Sequence, residues 1–299
     1  MIEPETFIIC LRAAMLGAGA ACFGAGSAAL VLAPPQLATA LRASLQPLLR
    51  GAAGVLALAA LLALAVQTAN AGEDWSQALS PSALFMFATT THAGHTSLAR
   101  ALFAVVSALC ILLARGNSIA LLRLGSLTAG LFLASFAFSG HAAMHDEPTR
   151  TLQQANHIAH VLSGTFWAGA LVALLCAAII LLRSPSSDEA KGAEIMLRRF
   201  SPAGVAAVVI VGLTGALNTW LILGRAPLDP QSTYQLLLTA KITAVAVMLA
   251  LALANRIYFL PRAARAAGAA ALVASIAVEC ALGALVIALV AMFGTLEPV

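Results

Sequence analysis

The sequence predicts an all-α polytopic membrane protein, a single bundle of about eight transmembrane helices with both termini on the non-cytoplasmic side. Three observations predict it. The first is composition: of 299 residues, 61% are hydrophobic and only 9% are charged. Soluble domains carry about 25% charged residues, so a water-soluble fold of this size could not cover its surface. A bilayer removes that demand, because lipid-facing positions must be apolar. The second is length: about 20 mostly apolar residues cross the hydrocarbon, and eight runs reach or nearly reach that length. The third is the distribution of cationic loops.

The runs fall at roughly 6–33, 48–70, 98–114, 117–140, 154–182, 201–223, 234–260 and 267–293. The first is too long for a signal-peptide core. The preceding Met1-Ile2-Glu3-Pro4-Glu5 has no basic region, so this run is expected to be a retained helix. Pro34-Pro35 breaks the chain before the second run. The third is short and has an alternative start near Phe85; with its start at 98, His92 and His95 fall in the loop before it. Arg115-Gly116-Asn117 separates the third from the fourth. The polar stretch Arg183 to Lys191, then Gly224 to Pro230, then Pro261-Arg262 mark the later turns. No soluble domain fits between the runs and no fixed-period repeat is present. Residues 1–299 read as one transmembrane domain.

Alternate loops divide 14 of the 16 Lys and Arg residues unequally, Arg12 and Lys241 lying within apolar runs. One set holds Arg42, Arg50, Arg115, Arg123, Arg183, Lys191, Arg198, Arg199, Arg256, Arg262 and Arg265; the other holds Arg100, Arg150 and Arg225. Short cationic loops stay in the cytoplasm, which puts both termini outside and requires an even helix count. The net charge of +4 therefore reports orientation and gives no reason to expect a nucleic-acid partner. Cys10, Cys22, Cys110, Cys176 and Cys280 are scattered through apolar runs, without a C-x-x-C pair, and read as packing residues.

The six histidines are His92, His95, His141, His145, His157 and His160, and this topology places them all at the non-cytoplasmic face. His157 and His160 share a helix face, as their spacing of three requires, and His92 and His95 repeat that spacing. The antiparallel fourth and fifth helices bring His141 near His157 and His160. Imidazole suits copper, zinc, iron and nickel, and thioether sulfur favours Cu(I). With Met144, and Met86 further off, the cluster suits copper. Asp146 and Glu147 would gather cations or fix an imidazole tautomer. The bland reading is a polar, pH-sensitive interfacial loop.

Polar residues also lie within the runs: Arg12, Asn218, Lys241 and Glu279. A charge at mid-bilayer costs about 2.5–3.5 kcal/mol on insertion scales, so such groups face the bundle interior. A Lys241–Glu279 pair is sterically open; Glu279 can also act as a neutral acid, a proton carrier or a metal ligand. Asn218, Lys241 and Glu279 are candidates for a transport path, or for a polar clamp between helices. Gly17, Gly19, Gly24, Gly26, Gly212 and Gly215 permit close helix approach. Trp75, Trp167, Trp220, Tyr234 and Tyr258 fit aromatic belts.

Several segments carry a family likeness. Asn156-His157-Ile158-Ala159-His160, with Trp167-Ala168-Gly169-Ala170-Leu171 after it, reads N-H-x-x-H and W-x-G-x-L. Gly140-His141-Ala142, Arg199-Phe200-Ser201, Thr214-Gly215 with Asn218, Tyr234 to Lys241, Asn255-Arg256, and Glu279 with Leu282-Gly283 follow in order. Over roughly residues 85–290 the chain resembles the CopD/PcoD copper-resistance membrane family. It departs at Thr91-His92-Ala93-Gly94-His95, where relatives often read T-x-F-G-x-x-W.

The resemblance implies a copper-binding protein of a bacterial inner membrane, a permease moving copper from periplasm to cytoplasm. Its His/Met site would comprise His141, His157 and His160 with Met144, His145, His92 and His95. A periplasmic chaperone of the CopC type is the implied partner, alongside the copper ion, as Cu(I) or Cu(II), and the lipid bilayer. The competing reading is a b-type haem electron-transfer component, since paired histidines on neighbouring helices can ligate haem axially. A third is a sensor or assembly factor that binds metal without moving it. No catalytic triad or nucleophile arrangement is visible, so enzyme activity is not expected.

Overall fold

The computed structural model describes residues 4–114, 118–139, 148–224, 226–227, 229–263 and 265–296. Among these there is no strand, and eight helices are long and apolar enough to span a bilayer. They are α1 (Thr6–Val31), α2 (Pro35–Ala71), α3 (His92–Leu113), α4 (Ile119–Phe138), α5 (Thr149–Arg183), α6 (Asp188–Leu223), α7 (Thr233–Arg262) and α8 (Ala266–Phe293). A short helix, Pro81–Thr90, precedes α3.

Four helices start earlier than their apolar runs. The second begins at Pro35, where a proline in the first turn costs no hydrogen bond. The sixth begins at Asp188. Ser187 caps it by accepting from the Ala190 N–H at 3.1 Å, and Asp188 and Glu189 favour the positive end of the helix dipole. Lys191–Asp188 and Arg198–Glu194 pairs support the following turns outside the apolar run. The third begins at His92, because the Thr91 hydroxyl accepts from the Gly94 N–H at 2.8 Å. His92 and His95 therefore stand on the first turn of α3, not in a loop. The fifth begins at Thr149, which sets His157 and His160 two to three turns inside it, recessed by about 12–16 Å of helix rise.

α5 organises the bundle. It packs against α1, α6 and α8, while α2 joins α1 to α3 and also touches α6. The α1–α5 crossing is backbone on backbone. A Cβ at Gly24 would lie 2.6 Å from the Thr165 carbonyl oxygen and 2.8 Å from the Gly169 Cα. A Cβ at Gly169 would strike the Ala20 carbonyl oxygen. The crossing coincides with a π-turn, Ala21–Ala25, which is flanked by α-helix on both sides. Ser126 of α4 donates to the Cys22 carbonyl at 3.1 Å, satisfying it in surroundings with no competing water. Gly26 leaves room for that serine.

Trp167 and Tyr234 are buried at 3% and 4% exposure, so they are core residues and not belt residues; Trp75 and Trp220 are exposed. Arg100 is likewise no loop residue. It is buried in α3, donates to Ser135 Oγ at 3.2 Å and Ser139 Oγ at 3.0 Å, and stacks on Phe136. All five cysteines are free thiols.

Gly169→Ala should lower the thermal midpoint of the detergent-solubilised protein by an amount matching about 1–3 kcal/mol of overpacking. Gly212→Ala, where the added methyl meets nothing within 4 Å, should leave it unchanged or slightly higher.

Candidate functional site

The polar residues of α5, α6 and α7 converge on His160. Its ring Nδ1 lies 3.0 Å from Thr214 Oγ1, and its Nε2 lies 3.4 Å from Lys241 Nζ. The Thr214 hydroxyl proton is committed elsewhere, to the Ile210 carbonyl at 2.5 Å. Thr214 Oγ1 can therefore only accept, so His160 carries its proton on Nδ1. Nε2 is left with the lone pair, and it faces a cation. A neutral imidazole held through its far nitrogen is the arrangement metal-binding histidines adopt.

The surroundings are built to hold that ring. Gly215 follows Thr214, and a Cβ there would stand 3.2 Å from His160 Cε1. Asn156, one turn before His160, donates to the Thr214 carbonyl and to Asn218 Oδ1, both at 2.9 Å. This ties α5 to α6 one turn outward of the imidazole. His157 stands three residues before His160 on α5, within electrostatic reach of it. Lys241 also lies over the Phe293 ring, 5.6 Å from its centroid, and Tyr234 packs edge-on against Phe293. Cation–π contact of this kind stabilises an ammonium that has no carboxylate partner among the described residues.

The remaining candidates sit apart. His92 and His95 are exposed, and His95 Nε2 lies 2.9 Å from the Thr89 carbonyl of the preceding helix. Their helix packs chiefly on α2 and α4, whereas the His160 pocket is made by α5, α6 and α7. Met86 is exposed on the short helix. His141, Met144, His145, Asp146 and Glu147 lie outside the described residues. Among the described residues, no three His, Cys, Asp or Glu side chains are close enough to hold a metal together. Of the candidate ligands among the described residues, His160 stands in this pocket, with His157 three residues before it on α5.

The Lys241–Glu279 pair does not form. Tyr234 and Phe293 mark one level of the bundle; Lys241 lies seven residues inward from the first and Glu279 fourteen from the second. That leaves about 10 Å of helix rise between them. Glu279 instead accepts from Asn255 Nδ2 at 2.6 Å.

Each motif of the sequence has a place here. N-H-x-x-H supplies the clamp and the imidazole that the pocket holds. T-G-x-x-N supplies the acceptor for Nδ1–H, the space for the ring and the clamp's partner. Tyr234 and Lys241 supply the cation and its aromatic bed. W-x-G-x-L is the α1 crossing, and Arg199 of R-F-S donates to the Leu32 carbonyl at 3.3 Å beyond the end of α1. Sequence reasoning passed over Thr214 as a site residue. Its signal was a hydroxyl four residues before Asn218, on the same helix face.

Comparison with known proteins gives a consistent result. A family model described as "Copper resistance protein D-like, N-terminal domain" matches residues 1–151, and one described as "Copper resistance protein D" matches residues 194–293. The chain is 30% identical over 266 residues to Copper resistance protein D of Pseudomonas syringae pv. tomato, covering 85% of this chain and 84% of that one. It is 32% identical over 243 residues to Inner membrane protein YebZ of Escherichia coli, covering 81% of each. It is 33% identical over 184 residues to Copper transport protein CutJ of Bacillus subtilis, covering 59% of this chain and 32% of that one. No solved structure matches.

Nitrogen-15 spectra of histidine-labelled protein should show His160 as the Nδ1–H tautomer. Thr214→Val, which removes the acceptor, should shift that resonance toward a tautomeric mixture while leaving the signals of His92 and His95 in place.

Proposed function

The chain belongs to the copper resistance protein D family, and from that premise we propose that it takes up copper at His160 and carries it from the periplasmic to the cytoplasmic side of the inner membrane. The observation that carries this reading is the Nε2 lone pair of His160, fixed by Thr214 and aimed at a cation in a recessed pocket. An ammonium group stands where a metal ion would stand. Copper and Lys241 cannot both hold Nε2, so binding moves Lys241 fully onto the Phe293 face, which it already touches.

His157 is the second imidazole of the proposed site. His141, Met144 and His145 complete it from the segment between α4 and α5. Imidazole accepts either Cu(I) or Cu(II), and the thioether of Met144 favours Cu(I). His92 and His95, exposed at the start of α3, act as collecting ligands at the mouth. In this reading the histidine face is periplasmic, consistent with the excess of Lys and Arg on the other side. A periplasmic chaperone of the CopC type would deliver the ion there. In this reading an ion entering from the periplasmic face passes Asn218, reaches His160 and Lys241, and descends from there toward Glu279. The name of the Bacillus relative, a copper transport protein, supports movement over sensing.

Purified protein titrated with copper under reducing and oxidising conditions tests the site. His160→Ala should abolish the tightest binding step. Thr214→Val, which removes the partner of Nδ1–H, should weaken binding by about 10–100-fold. Lys241→Met should tighten it, because the competing cation is gone. Unchanged affinity in both His160→Ala and His157→Ala would remove these residues from the site. Copper uptake into sealed vesicles separates a permease from a sensor. A reducible Soret band in the purified protein would favour haem, and none is expected.

A further inference from the structure

A second polar cluster lies deeper in the bundle, between α7 and α8. Glu279 is 1% exposed. One carboxylate oxygen accepts from Asn255 Nδ2, and the other, Oε1, has no hydrogen-bond partner among the described residues. Two more buried oxygens nearby in the fold share that condition, Asn255 Oδ1 and Ser275 Oγ. Ser275 is four residues before Glu279 and so stands on the same face of α8. Asn255 opens a π-turn, Asn255–Phe259, an irregularity that often marks a functional position. Glu279 and Asn255 line a cleft of about 350 Å³ between α6 and α7, floored by α5 and α8. The cleft runs from Val209 and Glu279 at mid-depth to Leu197 and Leu260 near the face opposite the histidines.

We propose that Glu279 and Asn255 form a proton-binding site that exchanges with the cytoplasmic face through this cleft and supplies the copper path with its coupling ion. An ionised carboxylate with a single amide donor in an apolar bundle is costly. A proton on Oε1 removes the charge and turns an unpaired acceptor into a donor. A metal cation fits the same place poorly. Hard cations take about six or more oxygens, and the side-chain oxygens here are those of Glu279, Asn255, Ser275 and Ser201. Arg256 stands on the wall of the same cleft, and its charge disfavours a metal ion there.

The titratable groups facing this point are few. They are Arg256 from α7, Cys280 beside Glu279 on α8, and Cys176 from α5; α6 contributes only Ser201 and apolar residues to the wall. Neither thiol is acidic enough to serve in place of the carboxyl. In each cycle the O–H bond of Glu279 breaks and the proton passes to water entering the cleft; the carboxylate is then reprotonated by a hydronium ion arriving from the histidine side along the copper path. No electron moves.

The proton site stands without the copper reading; the coupling rests on it. Infrared spectra of the protein in membranes should show a protonated carboxyl band in mildly acidic buffer. The band should shift in heavy water and vanish in Glu279→Gln, which keeps the shape of the side chain. Asn255→Leu should move the band without removing it, a control should Glu279→Gln fold poorly. A spectrum with carboxylate bands only, or a carboxyl band that survives Glu279→Gln, overturns the site. Vesicles loaded with a pH-sensitive dye test the coupling. Wild type should move protons as copper enters, and Glu279→Gln should lose the proton flux. Copper entry without proton movement overturns the coupling. A wild type that takes up no copper ends the copper reading and the coupling drawn from it, while the infrared result still decides the proton site.

Discussion

The contact between Gly24 and Gly169 fixes the frame on which everything else hangs. Two backbones meet there with no room for a methyl group on either side. Lipid offers helices no hydrophobic reason to associate, so close van der Waals approach has to supply it. The helix thus pinned is α5, which also touches α6 and α8 and carries both His157 and His160. Nine residues separate His160 from Gly169, and the crossing sets how far the imidazole stands from the membrane face. The π-turn of α1 at the same point strengthens the fit, with Ser126 serving the Cys22 carbonyl.

Around that frame, the polar side chains of the interior are arranged as two separate sets. One gathers at His160 and is almost fully satisfied: Asn156, Thr214 and Asn218 bond to one another or to backbone, and Lys241 takes the last nitrogen. The other gathers at Glu279 and is left short of donors. Satisfied networks hold one arrangement; unsatisfied ones wait for a ligand. The two sets lie at different depths on α7 and α8, joined by an apolar stretch that includes Met248 and Leu249.

Much of this was legible in the sequence. Eight apolar runs gave eight helices, because the length of a membrane span is set by the bilayer and not by tertiary detail. The starts of α2, α3, α5 and α6 were misplaced, since hydropathy measures only the part in lipid. The capped and charged extensions at Ser187–Asp188 and Thr91–His92 obey local helix chemistry instead. His157, His160, Asn218, Lys241 and Glu279 were recognisable as polar groups in costly positions. Which of them meet was not, because Lys241 and Glu279 differ in depth by helix rise that only the packing of Tyr234 on Phe293 fixes. Trp167 shows the same limit: an aromatic at a helix position near the boundary reads as a belt residue until its neighbours are known.

The hydroxyl of Thr214 has a consequence beyond orientation. It sits on α6, whereas the imidazole it governs belongs to α5. The strength of His160 as a Lewis base is therefore set by a neighbouring helix, through one hydrogen bond. Sliding or turning α6 by a fraction of a residue would cut that bond, free the ring to exchange its proton between nitrogens, and slacken its grip on an electrophile. In the proposed copper reading, grip and release thereby become mechanical properties of the bundle, governed by the register of two adjacent helices.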